Sequence, residues 1–103
     1  MIAVIFEVTM KDGEEARYFE MAANLKPLLE GIDGFISVER FESTTNPGKY
    51  LSLSFWRDQA AVAAWREQAE HGLAQALGKS EIFADFRIRV ASVLRDYSLA
   101  DRT

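Results

Sequence analysis

At 103 residues, 49% of them apolar and 27% charged, the chain has the composition of a folded globular domain rather than a disordered one. A formal net charge of -4, with arginines spread among carboxylates, offers no basic surface for a nucleic-acid backbone. No apolar run approaches the ~20 residues needed to span a bilayer, the opening MIAVIFEVTM lacks the basic start and cleavage site of a signal peptide, and the absence of cysteine removes disulfides, thiolate nucleophiles and zinc-thiolate sites. The composition points to one domain, 1–103, in the cytoplasm.

The first predicted element is a strand over residues 2–9, with Ile2, Val4, Phe6 and Val8 on one face and Ala3, Ile5, Glu7 and Thr9 on the other. Lys11-Asp12-Gly13 is a turn, and Asp12 is placed to cap the following helix, whose positive end Glu14 and Glu15 complement. Tyr18, Ala22, Leu25 and Leu29 recur at helical spacing over about 14–30, with Pro27 expected to bend the helix or restart its last turn. Gly31 and Gly34 close this segment.

Strands over about 35–43 and 49–56 flank the turn Asn46-Pro47-Gly48 and read as an antiparallel hairpin. Asp58 caps an alanine-rich helix over about 59–77, stopped by Gly78. A strand over about 83–97 closes the pattern, and Ser98 to Thr103 read as a frayed tail. The order is β-α-β-β-α-β, an α+β ferredoxin-like arrangement with a four-stranded antiparallel sheet and both helices on one face.

The alternation predicts which side chains share each face of the sheet. Leu51, Leu53 and Phe55 are assigned to the helix-facing side and Tyr50, Ser52, Ser54 and Trp56 to the other. In the last strand Phe86, Ile88, Val90 and Leu94 share one face, with Arg87, Arg89, Ala91, Val93, Arg95 and Tyr97 opposite. Ile5, Tyr50, Trp56, Val93 and Tyr97 would then form an exposed apolar patch, which two sheets packed face to face would cover. A homodimer follows, the long last strand reaching toward the partner.

Three segments carry a family likeness: GFISVERFES in the second strand, YLSLSFWRDQAAVAAWREQAEHGLAQ across the third strand and second helix, and FRIRVASVLRDYS in the last strand. The chain resembles the antibiotic biosynthesis monooxygenase family, whose members pair as dimeric α/β barrels. The resemblance implies a pocket between the sheet and the helices of each subunit. It also implies one of two activities, cofactor-independent oxygenation of an aromatic substrate or haem binding and degradation. The haem branch of that family uses an Asn on the first strand, a Trp on the second helix and a His ten residues after it. Trp65 matches, but position 75 is Gln and the first strand has no Asn, which turns the reading away from haem.

His71, the single histidine, is the candidate general base because its unperturbed pKa lies near neutrality. It stands about 120° around the helix from Trp65, at the border of the apolar stripe, where a surface role is the alternative. Trp65 lies on that stripe with Val62, Ala69 and Ala76; it either packs in the core or walls a pocket that the small alanines leave open. Phe6, Phe55 and Phe86, with Tyr18 and Phe19, are read as aromatic walls for a planar substrate, and Asn24 as a polar contact for its carbonyl or hydroxyl. Arg87, Arg89 and Arg95 are read as pairing with Glu39, Glu42 or Asp96 at the dimer face.

No carboxylate cluster has hard-cation spacing and no G-x-G-x-x-G follows a strand, so neither a metal nor a nucleotide cofactor is expected. The reaction expected is cofactor-independent oxygenation of a small aromatic or quinol-type molecule by dioxygen. Non-catalytic small-molecule binding, as in a stress-response protein, is the alternative.

Overall fold

The computed structural model describes residues 1–77 and 82–102, and the side-chain surroundings of all of these except 69–77 and 102. The elements are β1 (Ile2–Met10), α1 (Glu15–Glu30), β2 (Phe35–Glu42), β3 (Lys49–Trp56), α2 (Gln59–Leu77), β4 (Phe83–Ser92) and a 3-10 turn at Leu99–Arg102. The sheet order is β2-β3-β1-β4, every neighbouring pair antiparallel. This is the β-α-β-β-α-β arrangement the sequence predicts. The stop assigned to Gly78 lies outside the described residues.

Local chemistry accounts for most element boundaries. Asp12 does not cap α1: Glu14 is the N-cap residue and makes no side-chain cap bond, so only the acidic first turn complements the helix dipole. The helix runs through Pro27, and the Gly31 N–H closes its last turn onto the carbonyls of Pro27 and Leu28, each at 3.2 Å. Asp58 does cap α2, its Oδ1 accepting the Ala61 N–H at 2.9 Å. Arg57 ties this end of α2 to the start of β2. Its N–H donates to the Gly34 carbonyl at 2.7 Å, and its guanidinium binds Asp33 at 3.2 Å and Asp58 at 3.1 Å. Gly34 has φ +97°, and a Cβ there would lie 2.7 Å from that of Ala61, so α2 seats directly against this glycine.

β4 is shorter than its alternating sequence predicts. The Val93 N–H still bonds the Met1 carbonyl at 3.0 Å, but the strand itself ends at Ser92, opposite Ile2, the first residue of β1. Residues 93–98 form no regular element. The segment after them is not frayed as expected. Asp101 accepts bonds from the Ser98 N–H at 2.9 Å and from its hydroxyl at 3.0 Å, which folds the 3-10 turn and holds the Asp101 carboxyl below its usual pKa.

The register corrects the face assignment of β3. Ile2, Val4, Phe6 and Val8 pair with Trp56, Ser54, Ser52 and Tyr50, and directly paired residues share a face. Trp56 is fully buried with Ile2, Leu29 and Ala61, so this face is the helix-facing one. Leu51, Leu53 and Phe55 therefore point away from the helices, beside Glu7, Ile5 and Ala3. The expected patch of Tyr50 and Trp56 is replaced by one of Leu51, Leu53 and Phe55. The physical reason is that Trp56 needs a partner for its indole N–H when buried, and Ser54, two residues back on the same face, accepts it at 2.9 Å.

The helix-facing core is divided in two. Val8, Met10, Tyr18, Met21 and Ile82 form one buried cluster, with Phe6, Leu25, Tyr50 and Phe83 against it. Ile2, Leu29, Trp56 and Ala61 form the other, with Val4, Val38, Val62 and Trp65 among its neighbours. None of the described helices is long and apolar enough to cross a membrane.

Candidate functional site

The two clusters sit at opposite ends of the helix-facing surface, and the strand between them carries small polar side chains. On β3 that face reads Tyr50, Ser52, Ser54, Trp56, so two hydroxymethyl groups separate the large aromatics. Across the sheet the same rows continue through Phe6 and Val4 of β1 to Ile88 and Val90 of β4. The helices leave that edge uncovered: Phe86, Ile88 and Val90 face their side of the sheet yet are 54%, 55% and 54% exposed. An apolar trough results, floored by Val4, Phe6, Ile88 and Val90.

Aromatic rings close both ends of the trough. At one end Phe6 meets Phe83 and Phe86 edge-on, each at 6.0 Å between centroids, and Tyr18 meets Phe83 at 6.0 Å. At the other end Trp65 of α2 stacks on Trp56 at 6.3 Å with 26° between planes. Such surfaces suit the face and edge of a flat, apolar ligand. The Ser52 hydroxyl, half-buried on the floor, forms no hydrogen bond among the described residues.

The predicted site residues separate in the structure. Phe6 and Phe86 are together, and Trp65 stands at the opposite end of the same face. Phe55 pairs with Ala3 and lies on the helix-distal side, away from the trough. Asn24 is exposed on α1, off the stripe formed by Tyr18, Met21, Leu25 and Leu29. His71 belongs to α2, and its side chain lies outside the described residues. Sequence reasoning missed Trp56, Ser52, Ile88 and Val90 as site residues. The one signal for the first two was the Ser54–Trp56 spacing, a hydroxyl placed to satisfy a buried indole on the same face.

Charge is confined to the margins of this site. Glu42, next to Tyr50 in register, and the burial of the ring push the Tyr50 hydroxyl above its usual pKa, burial being the larger cause. Arg40 lies 5.3 Å over the Tyr18 ring and 5.7 Å over that of Phe19. No group of three or more metal-ligating side chains occurs among the described residues. A separate open groove of about 370 Å³ lies at the turn end of the β2–β3 hairpin, lined by Glu7, Phe41, Asn46 and Lys49 among others. It holds no aromatic stack comparable to the trough.

Comparison with known proteins bears on the chemistry of this arrangement. The family model described as antibiotic biosynthesis monooxygenase matches residues 1–77. The chain belongs to the antibiotic biosynthesis monooxygenase family. Among curated proteins it is 42% identical over 93 residues to a jasmonate monooxygenase of Pyricularia oryzae, covering 90% of this chain and 43% of that protein. The chain thus spans less than half the length of that relative. It is 30% identical over 101 residues to an uncharacterised Bacillus subtilis protein, with 98% of this chain and 86% of that one covered.

Solved structures agree on the fold. A Mycobacterium tuberculosis protein superposes with a TM-score of 0.77 at 16% identity, covering 94% of this chain and 98% of its own. A Deinococcus radiodurans candidate antibiotic biosynthesis monooxygenase gives 0.75 at 17% identity, with 96% and 98% covered. At such identities the likeness concerns architecture alone.

Proposed function

We propose that this member of the family is a cofactor-independent monooxygenase of a small, flat, electron-rich aromatic or quinol-type substrate, bound in the trough between sheet and helices. The observation that carries this reading is the trough itself, an open apolar floor of Phe6, Ile88 and Val90 between two aromatic ends. Dioxygen reacts slowly with closed-shell molecules unless an electron is supplied, so in this scheme the substrate supplies it as an anion. The protein's task is then to remove a proton, exclude water and stabilise the developing negative charge.

The step balances without any further reductant. A base takes the proton of a phenolic O–H, a ring C–H carbon ortho or para to that oxygen in the anion gives electrons to dioxygen and forms a hydroperoxide, and loss of water leaves a carbonyl at that carbon. One oxygen atom stays on the product and the other leaves as water. His71 is the base in this scheme, Trp65, Phe6 and Phe86 are walls, and the Ser52 hydroxyl donates to the substrate oxygen. Dioxygen and the aromatic molecule are its small-molecule partners. The working unit is a homodimer whose helix-distal faces shield Ile5, Leu51, Leu53 and Phe55, and a cytoplasmic setting suits a chain without cysteine.

Oxygen uptake tests the reading. A hydroquinone or naphthol and a jasmonate, suggested by the relative's name, are the first substrates to try. Turnover of one of them with His71→Ala at least about tenfold slower is the expected result. Binding without oxygen uptake points instead to a non-catalytic small-molecule carrier, and unchanged turnover in His71→Ala removes that residue from the mechanism.

A further inference from the structure

Strand register places a single cation on the helix-facing side of the sheet. Arg40 of β2 pairs with Ser52 of β3, Ser52 with Phe6 of β1, and Phe6 with Ile88 of β4, so the four side chains share one row on that side. The lysine and the other arginines of the strands, Lys49, Arg87 and Arg89, alternate onto the opposite side. Arg40 is therefore the one basic side chain that the four strands present to the helices, and it is exposed.

This cation is held in place but not neutralised. Its guanidinium carbon lies 5.3 Å from the centre of the Tyr18 ring and 5.7 Å from that of Phe19. Contact with aromatic rings orients the group without cancelling its charge, and most of its five N–H donors stay available. Arg17, Arg57 and Arg89 each hold a carboxylate of their own chain. Arg40 forms no ion pair and no side-chain hydrogen bond among the described residues. Glu42, its neighbour on the same side of β2, instead accepts the Gly48 N–H at 3.4 Å and is tied to the hairpin turn.

Tyr18 connects the cation to the trough. Its ring meets Phe83 at 6.0 Å, and Phe83 meets Phe6 at 6.0 Å, so the guanidinium stands at the rim of the same aromatic wall. Arg40 and Phe6 lie two strands apart, roughly 10 Å between backbones, with Ser52 between them. Such a separation fits a molecule with two polar ends, a ring oxygen near Ser52 and an anionic group near Arg40. The planar guanidinium matches a carboxylate through two parallel hydrogen bonds. One unpaired arginine also balances one negative charge, which favours a carboxylate over a doubly charged phosphate.

We propose that Arg40 binds a carboxylate of the substrate, which makes the substrate class an aromatic or quinol-type acid, its ring on Phe6 and Ile88 and its acid group at the β2 end of the row. This rests on the trough reading above and adds the acid group and the residue that selects it.

Calorimetric titration in the absence of oxygen tests it, with a hydroxynaphthoic acid, its methyl ester and the parent naphthol as probes. The acid is expected to bind about tenfold more tightly than the ester, which has a similar shape and no charge. Arg40→Gln is expected to bring acid and ester to within about twofold of each other. Ser52→Ala is expected to weaken both by a similar factor and leave their ratio in place, because the ring oxygen is common to the two. An acid that binds no more tightly than its ester, or a preference that survives Arg40→Gln, overturns the carboxylate site while binding of the naphthol keeps the trough reading standing. A preference abolished by Ser52→Ala and not by Arg40→Gln overturns the placement of the acid group. Failure of all three probes to bind overturns the trough reading together with the carboxylate site.

Discussion

The two faces of β3 teach different lessons about burial. Tyr50, Ser52, Ser54 and Trp56 form the face that the helices cover, although half of these residues are polar. Leu51, Leu53 and Phe55 form the face that no helix covers, although all are apolar. Trp56 is completely buried, whereas Leu51, Leu53 and Phe55 are only partly buried within the protomer. Hydrophobicity along one strand therefore does not reveal which side the helices take when both sides carry large apolar or aromatic groups. The covered face keeps a thin polar waist of Ser52 and Ser54. The uncovered face carries Ala3, Ile5, Leu51, Leu53 and Phe55 beside the ion pairs of Glu7 with Lys49 and Arg89.

The sharpest way to break this comparison is to truncate one residue from each face. Trp56→Ala removes the largest buried side chain and leaves Ser54 without its donor, and is expected to lower stability by about 3–5 kcal/mol in urea unfolding. Phe55→Ala, measured at a concentration that holds the protein monomeric, is expected to cost about 1 kcal/mol, and its main effect is expected on self-association. Equal losses for the two variants would show that the faces are not distinct.

Next in size is the contact that seats α2 on the covered face. Gly34→Ala combines a φ of +97° with a 2.7 Å approach to Ala61, and a loss of about 1–3 kcal/mol is expected in the same titration. A neutral result would mean that α2 can move away from β2 without penalty.

The smallest effects come from exposed carboxylates, one serving each face. The Ala61 N–H, more than Arg57, holds the Asp58 carboxyl below its usual pKa at the start of α2. On the other face the Arg89 hydrogen bond does the same for Glu7. A pKa depressed in the folded state means that the stabilisation is complete above the unfolded value, about 4 to 4.5, and is lost as pH falls through the folded value. Thermal midpoints are therefore expected to fall below about pH 4. Asp58→Asn should flatten part of that decline and lower the midpoint at neutral pH less than Gly34→Ala does. An unchanged pH profile would remove Asp58 from the account.

Much of the fold was legible because local signals agreed. Alternation marked β1, the Asn46-Pro47-Gly48 turn marked the hairpin, and Asp58 marked the start of α2; these three features formed within a residue or two of their expected places, unlike the end of β4. The site was legible only in part. Phe6 and Phe86 could be placed because β1 and β4 alternate strongly, whereas Phe55 was misplaced because both faces of β3 carry large apolar or aromatic groups. Asn24 is exposed on α1, off its buried stripe, a position that helical spacing does not exclude from contact with a ligand.

The sequence by itself determined the element order, the antiparallel sheet and the family likeness carried by the segments around Trp56, Trp65 and His71. These depend on turn chemistry, capping and periodicity, which act over a few residues. Tertiary structure alone decided which side of β3 the helices cover, where β4 stops pairing, and that Ser52 and Ser54 lie between two aromatic clusters. Those outcomes depend on register between strands distant in sequence, and a shift of one residue would exchange the two faces completely.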